Sequence, residues 1–163
     1  MPRIRIADED ATIQMEPEEY AETVFPESQP ALVQPETTPM KRVLLMDDEE
    51  MLRTLGIQML DRLGYQCETV ADGDAAVSAY EKAMASGRPF DVVMLDLTIK
   101  GGMGGVEAIK VLRRIDPHVR AIVCSGYCVD PVLEKFTDYG FCGALPKPYQ
   151  KVDLERVLEK AVG

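Results

Sequence analysis

Three carboxylates, a hydroxyl and an amine follow apolar runs in this 163-residue sequence. Asp47 and Asp48 close RVLLMDD, Asp96 closes DVVMLD, Ser125 closes RAIVCS, and Lys147 comes just after CGALP. A buried strand has no use for a charge, and Asp is depleted in strands. If the runs lie side by side, three acids meet in one cleft and repel each other by several kcal/mol at an effective dielectric near 20. They then need a counter-charge. A hard divalent cation with oxygen ligands, Mg2+ above all, fits that need, and Lys147 supplies further positive charge. Such a group suits phosphoryl transfer: a metal clamps phosphoryl oxygens, a lysine neutralises developing charge, and a carboxylate acts as nucleophile. Asp96 ends the central hydrophobic run and is the candidate nucleophile.

The elements that must position these residues alternate along the chain. RVLLM, YQCETV, DVVML, VRAIVCS and CGALP read as strands. Between and after them, EMLRTLGIQMLDRLG, DGDAAVSAYEKAMASG, GVEAIKVLRRID, DPVLEKFTDYG and VDLERVLEKAV read as helices, ended by glycine or proline at several points. Five strand–helix repeats imply right-handed crossovers and a parallel sheet with helices on both faces. The fold class is therefore α/β, a doubly wound five-stranded parallel sheet. In such sheets ligands bind at the carboxyl ends of the strands, where these five side chains fall. The Leu, Met and Val stripes of the helices, including Leu52, Leu55 and Met59 of the first and Val152 of the last, are read as core.

Composition narrows the function classes. The formal net charge is −10, which argues against non-specific nucleic-acid binding. Nine of the 28 acidic residues lie in residues 1–40 against only Arg3 and Arg5. That segment also holds six of the 11 prolines and is read as a disordered tail or linker, leaving 41–163 as the folded domain. MPRIRIADED has no apolar stretch behind its basic residues, and no run nears the roughly 20 apolar residues that cross a bilayer. A soluble, cytoplasmic protein without membrane contacts is expected. Cys124 and Cys128 form a CxxxC pair, but no second Cys or His pair completes a zinc set, and His118 is the lone histidine. The cysteines are read as buried or idle thiols, and His118 as an exposed turn residue.

VLLMDDEE, DVVMLDL, IVCSGY and LPKPY, in that order and spacing, resemble the receiver domain of two-component response regulators, with the flavour of receivers attached to hybrid sensor histidine kinases. The likeness spans 41–163. It implies a flavodoxin-like (βα)5 fold in which Asp96 accepts a phosphoryl group from a phosphohistidine on a histidine kinase or a histidine phosphotransfer protein. It further implies that Asp48, Asp96 and the Thr98 carbonyl ligate Mg2+ directly and Asp47 through water. Lys147 and Ser125 would contact the phosphoryl group, and the Lys147–Pro148 peptide would be cis. A homodimer through the fourth-helix, fifth-strand and fifth-helix face is also implied.

The sequence departs from the pattern in two places. Ala144 stands where the family often has an aromatic rotamer switch, which leaves the relay to Ser125 and its loop. Ile99-Lys100 stands where Met-Pro is common, within a Gly-rich KGGMGG loop one residue longer than usual. With Gly163 as the last residue, output is expected by protein contact or phosphorelay rather than by catalysis. A magnesium-dependent aspartyl phosphohydrolase is the alternative, but enzymes of similar chemistry carry a second Asp where Thr98 stands, together with a cap domain. An unphosphorylated scaffold is a third reading, opposed by the presence of all five site residues.

Overall fold

The computed structural model describes residues 38–163, so most of the segment read as a disordered tail lies outside the described residues. Five strands run through the centre: β1 (Arg42–Met46), β2 (Gln66–Val70), β3 (Val92–Asp96), β4 (Ala121–Ser125) and β5 (Gly143–Pro146). All pairings are parallel, in the order β2-β1-β3-β4-β5. The helices are α1 (Glu50–Arg62), α2 (Gly73–Ala85), α3 (Gly105–Ile115), α4 (Pro131–Glu134) and α5 (Lys151–Val162), with a 3-10 turn at Phe136–Tyr139. The expected doubly wound sheet is present.

Strand period sorts the core into two halves. Val43, Leu45, Val92, Met94, Ile122, Cys124 and Leu145 pack with α1 and α5 through Leu60, Leu154 and Leu158. Leu44, Met46, Val93, Leu95, Ala121 and Val123 pack with α2, α3 and α4 through Tyr80, Ile109, Leu112 and Leu133. β3 and β4 are buried along their whole length, as strands covered on both faces must be. β2 is the half-exposed edge. Asp72 caps α2 by accepting from the Ala75 N–H at 2.9 Å, and Gln150 with Asp153 forms a capping box on α5.

Three expectations are corrected. The stripe on α1 is fully buried only at Leu60, with Met59 and Leu63 packed against that core, whereas Leu55 is 43% exposed and half-buried Leu52 stands outside it. The α5 contact is made by Leu154, Leu158 and Ala161, whereas Val152 is 53% exposed. The fourth helix is a single α-turn followed by a 3-10 turn. Gly140, at φ 95°, then reverses the chain into β5.

Candidate functional site

β1 and β3 are neighbours whose following loops diverge to opposite sides, which opens a crevice at their carboxyl ends. Register carries the chemistry there. Met46 pairs with Leu95, so Asp47 and Asp96 reach the next level together. Asp96 pairs with Cys124 and Ser125 with Pro146, which brings Lys147 alongside. By strand parity Asp47, Asp96 and Lys147 continue the rows that face α1 and α5, while Ser125 continues the opposite row.

The resulting cluster is closely knit. Lys147 Nζ lies 2.5 Å from Asp47 Oδ2 and 3.1 Å from Asp96 Oδ2. Asp47, Asp96 and Ser125 are buried, with 3%, 6% and 1% of their surfaces exposed, so two carboxylates and a hydroxyl are held out of water rather than forming a solvated rim. Asp47 Oδ1 accepts the Glu49 N–H at 2.9 Å, and the Asp47 carbonyl accepts from Arg53 at 2.7 Å. The Thr98 N–H points at Asp96 Oδ1 from 3.5 Å. Ser125 Oγ accepts the Tyr127 N–H at 3.1 Å, which leaves its own proton to donate. The Lys147–Pro148 peptide is cis.

Burial pushes the Asp96 carboxyl above the usual Asp value. Lys147 opposes that shift, and the like charge of Asp47 adds to it. Burial also works against the Lys147 ammonium. The hydrogen bond to Asp47 and the charges of Asp96 and Asp47 outweigh it, so the lysine pKa is raised. The ammonium is thereby locked in its charged form. Cys124, just beneath, is pushed up to about 12 by burial and takes no part as a thiolate.

The donor set fits a hard cation. One ligand oxygen each from Asp47, Asp48 and Glu49 lies within 4.8 Å of the others. The carboxylates of Asp47, Asp48, Glu49 and Asp96 outnumber the ammonium groups of Lys147 and Lys100 around the cleft, which leaves unbalanced negative charge for oxygen-seeking Mg2+ to meet. Asp48 and Glu49, Asp96, Thr98, Lys100 and Lys147 border one cleft of about 410 Å³.

Two features escaped the sequence. Glu49 joins the acidic cluster, although its neighbour Glu50 looks identical in the sequence. A second groove of about 350 Å³ lies beside the site, walled by Leu52, Leu55, Gly56 and Met59 of α1 and by Pro148 and Tyr149. The apolar stripe was visible, but periodicity cannot tell a groove wall from a core face. At the back of the site Gly105 abuts β3: a Cβ there would stand 2.8 Å from the Asp96 carbonyl oxygen.

A doubly wound sheet with an acid–lysine cluster at its switch point defines an aspartate-centred receiver class. The response regulator receiver domain matches residues 43–159, and the chain belongs to that family. Chemotaxis protein CheY of Thermotoga maritima is 31% identical over 121 residues, covering 74% of this chain and 96% of that protein. Transcription factor SKN7 of Chaetomium thermophilum is 28% identical over 119 residues, covering 73% of this chain but 15% of the factor. Among solved structures, the receiver domain of sensor histidine kinase PA1611 from Pseudomonas aeruginosa superposes with a TM-score of 0.67 at 25% identity. That match covers 76% of this chain and 98% of the other, which holds a magnesium ion in its active-site cleft.

Among the described residues no helix is long and apolar enough to cross a membrane.

Proposed function

We propose that the chain is the phosphoacceptor of a two-component phosphorelay, working in the cytoplasm, with Asp96 as the residue that receives the phosphoryl group. An Asp96 carboxylate oxygen attacks the phosphorus of a phosphohistidine presented by a kinase or phosphotransfer protein. The P–N bond breaks, the imidazole leaves with the electron pair, and an acyl phosphate forms. Lys147 donates to the incoming phosphoryl oxygens while its second contact, Asp47, keeps it in place. Ser125 donates its free O–H to a phosphoryl oxygen, and this contact draws the β4–α4 loop inward. Asp47, Asp48, Asp96 and the Thr98 carbonyl would hold Mg2+, which when bound offsets the charge of the phosphoryl oxygens. The chain's output is a changed protein-contact surface rather than turnover, and the α4–β5–α5 face is the place where a second copy would dock.

The observation that carries this reading is the single Lys147 ammonium shared by two buried carboxylates at the strand ends. The test is intact-protein mass after incubation with acetyl phosphate, with and without magnesium, for wild type and Asp96→Asn. One phosphoryl group should be gained only by wild type and only with magnesium. Absence of any gain would argue for a scaffold or for a receiver that takes its phosphoryl group only from its partner. Steady phosphate release from a substrate panel would argue for a hydrolase.

A further inference from the structure

Lys100 lies in the Gly-rich loop between β3 and α3, and its backbone matters more than its ammonium. Its N–H donates to Asp48 Oδ2 at 3.1 Å, joining positions 52 residues apart. The far end of the same loop is pinned by a 2.9 Å hydrogen bond from the Gly73 N–H to the Met103 carbonyl, at the start of α2. One shoulder of the loop therefore rests on the acidic cluster and the other on a helix. This contact depends on the residue type, since a proline at position 100 would have no N–H to give.

A carboxylate offers about four lone-pair sites, so one N–H on Oδ2 leaves Asp48 free to bind an ion. With that bond made, the oxygens of Asp47, Asp48 and Glu49 still converge within 4.8 Å. Hydrogen bonds that fix a ligating carboxylate tighten metal binding. We propose that the Lys100 amide is a positioning group for the cation site, holding Asp48 toward the ion, and that the ion in return orders the loop from Lys100 to Met103. The second half follows from the reciprocity of coupled equilibria. The inference rests on the magnesium reading given above.

The test uses the full chain. Mg2+ affinity is measured by calorimetry for wild type, Lys100→Pro and Lys100→Ala, with far-UV circular dichroism to check folding, and amide hydrogen exchange is followed with and without Mg2+. Lys100→Pro should bind Mg2+ about tenfold more weakly. Lys100→Ala keeps the N–H and should bind at least as tightly as wild type. Exchange across Lys100–Gly104 should slow when Mg2+ is added to wild type. Equal or tighter binding by a folded Lys100→Pro chain overturns the inference, and so does loop exchange that is unchanged or faster with Mg2+. The exchange arm needs no variant, so misfolding of the proline chain does not shield the inference. Wild type that binds no Mg2+ would overturn the metal reading and this inference together; wild type that binds without slowing loop exchange would overturn this inference alone.

Discussion

Replacing Lys147 by methionine keeps the aliphatic stem and removes the charge. At an effective dielectric near 20, contacts at 2.5 Å and 3.1 Å correspond to about 5 to 7 kcal/mol of gross attraction each. Desolvation cancels much of this, and breaking a buried pair by deleting one partner costs ~3–5 kcal/mol net. The lysine side chain is 15% exposed against 4% for Asp47 and 9% for Asp96. Residual solvent screening therefore places Lys147→Met at the low end, about 3 kcal/mol less stable. At a slope near 1.5 kcal/mol per molar, the urea midpoint should fall by roughly 2 M at pH 7 in EDTA. Two rescues follow from the same charges. Magnesium should stabilise the variant more than wild type, since the ion replaces the lost counter-charge. Lower pH should also help. Burial already raises the Asp96 carboxyl, and loss of the ammonium raises it further. For an acid with a raised folded-state pKa, the deficit is full above that pKa and shrinks as pH falls through it. Urea unfolding followed at 222 nm measures all three. A variant within about 0.5 kcal/mol of wild type in EDTA, the scale of an ordinary surface substitution, would refute the reasoning. Equal stabilisation of both chains by magnesium would refute it as well.

The raised Asp96 pKa also means that the fold is strained by keeping this group ionised. Asp96→Asn should therefore raise the thermal midpoint, measured by calorimetry at pH 7 without magnesium. Gly105→Ala should cost about 2 kcal/mol in urea unfolding and slow phosphoryl uptake, because the added methyl presses on the Asp96 carbonyl oxygen at 2.8 Å. With iodoacetamide at pH 8, exposed Cys128 should alkylate first. Cys124 and Cys67, both pushed up to about 12 by burial, should lag, and buried Cys124 should react only in denaturant, as read by peptide mass.

Much of the site was legible because its chemistry contradicts its surroundings. Asp47, Asp96 and Ser125 end apolar runs whose burial demands a reason for each polar group, and Lys147 follows another such run. The parallel, doubly wound sheet followed from the alternation of strands and helices. What stayed hidden has physical causes. The Lys100 contact is made by a backbone N–H, which no side-chain type announces. Leu55 and Leu60 look alike in a helical stripe, yet Leu60 meets the sheet while Leu55 faces an open groove. In the fourth helix, Val132, Leu133 and Phe136 satisfy the helical period. The chain nonetheless tightens after Glu134, since the carbonyls of Phe136 and Thr137 accept from Phe141 and Gly140 to start the return into β5.

The acids alone would not make this site. Asp47, Asp96 and Lys147 meet because their strands carry apolar residues at the same parity: Val43 and Leu45, Val92 and Met94, Leu145. Slipping β5 by one residue against β4 would swing Lys147 to the opposite face and leave two buried carboxylates without a cation. It would also turn Leu145 out of its core, at a cost of about 2 kcal/mol for a buried leucine. Hydrophobic register and electrostatic pairing therefore favour the same alignment. Ser125, on the other parity, approaches from the far side. An incoming phosphoryl group would thus be held between an ammonium fixed by one half of the core and a hydroxyl fixed by the other, and movement of the β4–α4 loop toward that hydroxyl need not disturb the charged cluster.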